Sequence, residues 1–179
     1  MHRQPLLKLL TAYNPVAPEE QKYKNQMIDF INAHEDCFER TLAIGHITAS
    51  AWLVSKDGSK ALLLHHRKLN KWLQLGGHCD GNPDTLAVAI KEAQEESGIL
   101  GIEPVNVTIF DIDIHRIPEY AAVAAHDHYD VRFLLRVTSN EEVVQNHESK
   151  GLIWVGKEPL EVPTDEPSVV RMFTKWLEV

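Results

Sequence analysis

One block of the sequence constrains the fold more than any other: a short strand, a pair of glycines and a capped helix in direct succession. The apolar run Trp72–Leu75 predicts a strand that ends at Gly76 and Gly77. Residues Asn82–Ser97 predict a helix, because the run starts with a good N-cap asparagine and Gly98 follows its last turn. A helix packed directly behind a short strand is typical of α/β proteins, so we expect an α/β domain.

Three carboxylates stand together near the end of this helix. Glu92, Glu95 and Glu96 are related by three and four residues, so their side chains neighbour one another on the helix surface. Such a cluster is usually a solvated acidic face. Like charges at these spacings repel, however, and a bound cation would neutralise them. Carboxylate oxygens are ligands that Mg²⁺ prefers.

The same block resembles the Nudix hydrolase superfamily, whose motif is G-x5-E-x7-R-E-U-x-E-E-x-G-U, with U an aliphatic residue. Laid over Gly77–Ile99, the spacing fits without a gap, and Ala93 fills the small apolar position. The positions that match outright are Gly77, Glu92, Glu95, Glu96, Gly98 and Ile99. The resemblance implies an α/β/α sandwich with a mixed β-sheet, and a single Nudix hydrolase domain over residues 1–179.

Two positions depart from the family pattern. Pro83 stands where the family has its first Glu, and Lys91 stands where it has Arg. In the family these two groups brace the loop against the helix. Asp84 and Lys91 are seven residues apart, close to two helical turns, and are a candidate replacement pair. Lys lacks the planar fork of Arg, so the departures affect loop rigidity and rate more than metal binding.

The resemblance also implies the cofactor and the catalytic residues. In the family the helix carboxylates hold Mg²⁺ or Mn²⁺ with help from a backbone carbonyl of the glycine turn, here Gly76 or Gly77. By that likeness Glu92, Glu95 and Glu96 are metal ligands and catalytic residues. A further acidic residue often comes from a later loop ahead of a Trp-bearing strand. Glu148, six residues before Trp154, is preferred for this role over Glu141 and Glu142, with an ordinary loop carboxylate as the alternative.

The phosphates of a substrate need positive charge, and one dense basic stretch precedes the glycine turn. Arg67 could grip a phosphate through two donors, and Lys68 and Lys71 would add charge. A solvated loop is the alternative.

Histidines form a second unusual feature, since the chain has ten. His126 and His128 point to one face if a strand begins this early. They and Tyr129 are expected to line the substrate pocket, stacking on a base or bonding a phosphate. The alternative is a zinc site with His115 as a third ligand.

The remaining pattern completes the domain. Residues 1–40 predict a helical N-terminal extension, with a helix from about Pro18 to Phe38. Residues 165–179 predict a final helix, capped by Asp165 or Ser168. Its predicted apolar stripe is Val169, Phe173, Trp176 and Leu177. Further strands are predicted at Ile47–Val54, Ala61–Leu64, Val105–Ile114, Tyr129–Val137 and Leu152–Val155.

The charge and composition of the chain limit the classes of molecule that it is expected to bind. With 18 Lys and Arg against 26 Asp and Glu, the net charge is −8, which argues against a nucleic-acid polymer as partner. The sequence has no apolar run of membrane-spanning length, and two cysteines suit a reducing, cytoplasmic setting. The expected partner is a small phosphorylated molecule, with a homodimer left open.

The resemblance therefore implies a Mg²⁺-dependent Nudix pyrophosphohydrolase. Its substrate would be a nucleoside diphosphate linked to another group X, or a nucleoside triphosphate. The alternative is a Nudix-fold nucleotide-binding or regulatory module with weak or no turnover, which Pro83 and Lys91 motivate.

Overall fold

The computed structural model describes residues 2–119, 123–147, 149–158 and 162–179. Within these ranges the chain forms four helices and eight strands. The helices are α1 Gln4–Ala12, α2 Pro18–Ala33, α3 Thr85–Ser97 and α4 Pro167–Leu177. The strands are β1 Gly45–Val54, β2 Ala61–His66, β3 Lys71–Leu73, β4 Leu75–His78, β5 Ile102–Pro104, β6 Asp111–Ile117, β7 His126–Val137 and β8 Ser149–Val155.

The strands form one mixed, branched sheet with the order β3-β2-β1-β7-β5 along its main path. β1 and β7 run parallel over ten residue pairs, and the other pairings are antiparallel. β2 stays with β1 only at the pair Val54–Ala61, after which β4 takes its place against β1. This exchange places the glycine turn of β4 beside the centre of the sheet.

Helices cover both faces of the sheet, as the predicted α/β/α sandwich requires. Side chains alternate along β1, so Ala49 and Ala51 face α3 while Trp52 and Val54 face α4. Val88 and Ala93 of α3 pack with Ala49 and Ala51 in one hydrophobic core, which also includes residues of α1 and α2.

The central helix begins later than the sequence predicts. The predicted N-cap, Asn82, instead accepts a hydrogen bond from the Asp84 amide in a local turn, and Asp84 caps α3 by accepting from the Ala87 amide at 3.0 Å. Pro83 therefore precedes the helix. The end is as predicted, with Gly98 in the left-handed region at φ 75°.

Other details of the prediction are also wrong. The predicted Trp72–Leu75 strand is divided between β3 and β4, and the cap of α4 is Glu166 rather than Asp165 or Ser168. Residues 105–110 lie between β5 and β6, so only residues 111–114 of the predicted Val105–Ile114 strand belong to a strand. α2 ends at Ala33, five residues before the predicted Phe38. In α4 the buried stripe includes Met172, whereas Leu177 is exposed.

A buried ionic network ties the N-terminal helices to α4. Glu20 accepts hydrogen bonds from Tyr13 and Lys175, and Lys175 also pairs with Asp111 at 2.7 Å. Arg171 bonds the same Asp111 at 2.8 Å. Because buried charges are stable only when paired and hydrogen-bonded, this network fixes α1 and α2 on the domain.

Within the described ranges, no helix combines the length and the apolar composition that crossing a bilayer demands.

Candidate active site at the glycine turn

Glu96 and Glu92 converge on the glycine turn of β4. The Glu96 side chain is buried, and its Oε2 accepts a hydrogen bond from the Gly76 amide at 2.8 Å. Glu92 lies against the next residue so closely that a methyl group on Gly77 would be 2.4 Å from its Oε2. The helix period places both carboxylates on the side of α3 that faces β4.

Neighbouring atoms lie so close to Gly76 and Gly77 that a side chain at either position would collide with them. A methyl group on Gly76 would lie 2.2 Å from the Ser50 hydroxyl oxygen, and the residue has φ 155°. Gly77 has an ordinary backbone conformation, and its missing side chain leaves the space that the Glu92 carboxylate fills. The turn therefore acts as a cradle for carboxylates.

The third carboxylate is held differently. Lys91 donates to Glu92 Oε1 at 3.1 Å and to Glu95 Oε2 at 3.0 Å. Glu95 is more than half exposed, so it lies at the outer rim of the site. The predicted Asp84–Lys91 brace does not form, because Asp84 caps the helix and Lys91 serves the two glutamates.

The donor set fits a hard divalent cation. Glu92, Glu95 and Glu96 supply oxygen atoms only, at the edge of a buried turn, and Mg²⁺ takes oxygen ligands. The Lys91 ammonium already bridges two of these carboxylates, so a cation of single charge is accommodated at the rim.

A polar network on the opposite face of β1 supports the strand. Asp130 accepts hydrogen bonds from Thr48 and Ser50 at 3.0 and 2.8 Å, and from Gln74 at 3.2 Å. Arg132, fully buried, donates to the same carboxylate at 2.7 Å. The segment that enters β4 is thereby fixed to β1 and β7.

Two of the three predicted basic residues, Arg67 and Lys71, have structural partners. Arg67 donates to the carbonyls of His147 and Ser149, both at 2.9 Å, and so orders the two neighbours of Glu148. Lys71 pairs with Glu166 at 2.6 Å. Lys68 is exposed.

Glu148 itself lies outside the described residues. The alternative Glu141 accepts a hydrogen bond from the Lys56 amide in the β1–β2 turn at 2.7 Å.

His126 and His128 share one face of β7, as predicted, and their Nε2 atoms are 3.3 Å apart. Sequence reasoning missed His46 on β1 and His78 on β4, whose rings lie 4.8 and 5.1 Å from that of His128. His115 packs edge-on against His128 at 5.4 Å. These five residues are called the histidine cluster below.

Tyr129 is not part of this cluster. Its ring stacks on Phe30 of α2 at 3.9 Å, on the opposite face of β7 from His128. Strand alternation requires this separation, so the three residues do not line one pocket as predicted.

Burial keeps the inner rings of the cluster neutral. It lowers the pKa of His46 to about 4, and the neighbouring rings of His78 and His126 add to the effect. It also lowers the pKa of His128 to about 2, again with help from the surrounding histidines. At neutral pH both rings present an uncharged nitrogen lone pair.

Comparison with known proteins agrees with this architecture. The family model described as NUDIX domain matches residues 45–177. No curated protein matches the chain.

Solved structures resemble it over most of their own length. A NUDIX-family hydrolase from Clostridium perfringens is 29% identical, with 74% of this chain and 97% of that one covered and a TM-score of 0.54. A MutT protein from Methanosarcina mazei is 18% identical, with 76% and 96% covered and a TM-score of 0.58. An Ap4A hydrolase from C. elegans is 19% identical, with 74% and 95% covered and a TM-score of 0.55.

The fold and the matching family define a hydrolase that acts on phosphorus-containing acid anhydrides. The chain belongs to the NUDIX domain family. The match begins at Gly45, so α1 and α2 precede the family domain.

Proposed function

We propose that the chain is a Mg²⁺- or Mn²⁺-dependent pyrophosphohydrolase. Its substrate would be a nucleoside diphosphate linked to a group X, or a nucleoside triphosphate. The observation that carries the proposal is the convergence of Glu92 and Glu96 on the Gly76–Gly77 turn. Solved relatives named as a MutT protein and an Ap4A hydrolase have the same fold.

Glu92, Glu95 and Glu96 would hold the metal, with a carbonyl of Gly76 or Gly77 and with Glu148 from the later loop. When bound, such an ion supplies a Lewis acid for the phosphate oxygens and lowers the pKa of water. Glu96 holds the turn through the hydrogen bond that its Oε2 accepts from the Gly76 amide, and the same carboxylate is proposed to bind the cation. Glu92 lies beside Gly77, and it is proposed to accept a proton from the attacking water.

The substrate would lie between this site and the basic loop. Arg67, Lys68 and Lys71 are proposed to face its phosphates. Arg67 and Lys71 would then bind the phosphates in addition to their present protein partners. Contact of His126 and His128 with the substrate stays a prediction.

We also propose a cytoplasmic setting, which the two buried free thiols of Cys37 and Cys79 support. A single domain in which residues 1–40 form an extension, and a homodimer, remain predictions. The buried network through Glu20 supports the first of these.

The decisive experiment is a panel assay. ADP-ribose, a dinucleoside tetraphosphate and nucleoside triphosphates are incubated with Mg²⁺ or Mn²⁺ in ¹⁸O-labelled water, and products are identified by mass. Water should add to one phosphorus while the bridging P–O bond of the diphosphate breaks, leaving two phosphorylated products.

Glu96→Gln keeps an oxygen for the Gly76 amide but loses the charge, so turnover should fall more than about 100-fold while the fold is retained. Glu103→Gln, at an exposed position of β5, is the matched control and should have wild-type rates. Equal rates for wild type and Glu96→Gln would refute the proposal. Tight nucleotide binding without product would favour the regulatory module that Pro83 and Lys91 motivated.

A further inference from the structure

The histidine cluster forms a row across four neighbouring strands. His46 of β1 is in register with His128 of β7, and His128 is in register with His115 of β6. His78 of β4 is in register with Thr48, two residues along β1 from His46 and on the same face. The row is therefore built by strand pairing between segments far apart in the sequence.

His46 is the residue that ordinary packing leaves unexplained. It is 2% exposed, and neither Nδ1 nor Nε2 makes a hydrogen bond of ordinary geometry; the Leu42 carbonyl is the nearby backbone acceptor. Buried polar groups in folded proteins are nearly always bonded, because an unpaired one loses its interaction with water and gains nothing in return. Its ring nitrogens are surrounded instead by other imidazoles, with His78, His126 and His128 at centroid distances of 4.8 to 5.0 Å.

We propose that His46, His78 and His128 bind a transition-metal ion, with Zn²⁺ as the reference ion, at a site separate from the carboxylate site. One nitrogen from each ring lies within 4.8 Å of the other two. Tetrahedral zinc with Zn–N bonds of about 2.0–2.1 Å brings its nitrogens to about 3.3 Å from one another. The rings therefore need to close by at most about 1.5 Å, a movement available to the partly exposed rings of His78 and His128.

Ligand chemistry separates this site from the first one. Neutral imidazole suits zinc, copper, nickel and iron, whereas Mg²⁺ takes oxygen ligands. The chain thus offers one all-nitrogen site and one all-oxygen site on the two faces of β4.

The surroundings have the features of a metal site. His126 donates from Nδ1 to the Ala124 carbonyl at 2.8 Å, which leaves its Nε2 lone pair facing His128 as a candidate fourth ligand. His115, with 40% of its side chain exposed and bonded to Asp113 at 3.2 Å, marks the solvent side from which an ion can enter.

A metal bound by His78 would lie close to the glycine turn, because His78 follows Gly77 directly on β4. Gly77 and His78 are consecutive on β4, so their side-chain directions point to opposite faces of the strand. A metal held by His78 would tie β4 to β1 and β7 directly behind the residue that cradles Glu92.

The test is a metal titration of the full chain carrying no affinity tag. Chelator-stripped protein is titrated with Zn²⁺ against a chromophoric chelator, and Co²⁺ is used to read the coordination from its visible d–d bands. We expect one Zn²⁺ per chain, a low-coordinate Co²⁺ spectrum, and a rise in Tm of about 5–10 °C at a hundredfold excess over Kd.

Variants assign the ligands. His46→Gln and His128→Gln should each weaken Zn²⁺ binding by more than about 100-fold. His78→Gln, at a partly exposed position, serves the same purpose if the buried variants do not fold. His2→Gln, on the exposed N-terminus, is the matched control with unchanged binding.

Absence of Zn²⁺ binding to the wild-type chain overturns the proposal. So does binding that survives in the cluster variants but is lost in Glu96→Gln, because the zinc would then occupy the carboxylates. Retained binding in Glu96→Gln supports two separate sites. The titration needs no substrate, so its result is independent of the proposed hydrolysis.

Discussion

Replacing Gly77 by Ala tests the geometry of the carboxylate cradle with a single methyl group. That methyl would lie 2.4 Å from Glu92 Oε2 and 2.7 Å from its Cδ. Ordinary contact begins at 3.4 Å, so the carboxylate has to move by about 1 Å. Gly77 has no positive φ, so the backbone accepts alanine, and the displaced group is the end of a flexible side chain.

The expected result is a large loss of activity with a small loss of stability. A displacement of about 1 Å at a reacting group costs on the order of 100-fold in rate. Overpacking against a movable side chain should cost about 1 kcal/mol in the free energy of unfolding, at the low end of the usual range. Steady-state kinetics at saturating Mg²⁺ and urea unfolding measure the two effects.

Gly151→Ala is the matched control. Gly151 lies in β8 with an unstrained φ, and an added methyl meets only Trp72, at 3.9 Å. Its kcat and stability should remain at the wild-type level. Wild-type kcat in Gly77→Ala, with the variant folded, would refute the role assigned to Glu92 beside the turn.

Two further perturbations test the ion pairs of Glu20 and Lys91. Burial raises the pKa of Glu20, but hydrogen bonds from Lys175 and Tyr13 outweigh it and lower the pKa from 4.5 to about 2. The carboxylate therefore contributes up to about 3 kcal/mol of stability above pH ~4.5, which is lost as the pH falls through ~2. Urea unfolding of wild type and Glu20→Gln should show a difference that shrinks between pH 5 and 2, and a constant difference would contradict the assignment. Lys91→Ala should lower the free energy of unfolding by less than about 1 kcal/mol, because the lysine is exposed. It should also lower the Mg²⁺ concentration needed for half-maximal rate, because Glu95 loses its ion pair. A higher Mg²⁺ concentration for half-maximal rate would show that Lys91 assists metal binding instead.

The sequence alone determined the parts of the site that lie close together along the chain. The spacing of Glu92 and Glu96 follows from the helix period, which depends on no other element. The left-handed end at Gly98 is likewise a local preference, and the structure confirms it. The family motif over residues 77–99 combines these local features, and for that reason it predicted the family and the α/β/α layers correctly.

The start of α3 was predicted less accurately than its end, because two neighbouring residues can both cap the helix. The sequence analysis predicted Asn82 as the cap, but aspartate caps helices as well as asparagine does, so Asp84 can take the same role. Asn82 forms a turn with the Asp84 amide, which leaves the cap to Asp84. Lys91 likewise pairs with Glu92 and Glu95 instead of the predicted Asp84.

Tertiary structure alone decided which side chains meet from distant strands. His46, His78 and His128 are separated by 32 and 50 residues, so no spacing in the chain marks them as a group. Their meeting depends on the β1–β7 and β1–β4 registers, and a slip of one residue would turn any of them to the other face. The same alternation removed Tyr129 from the cluster and stacked it on Phe30. Helix periodicity is carried by neighbours in sequence, whereas strand register is fixed only when the whole sheet assembles.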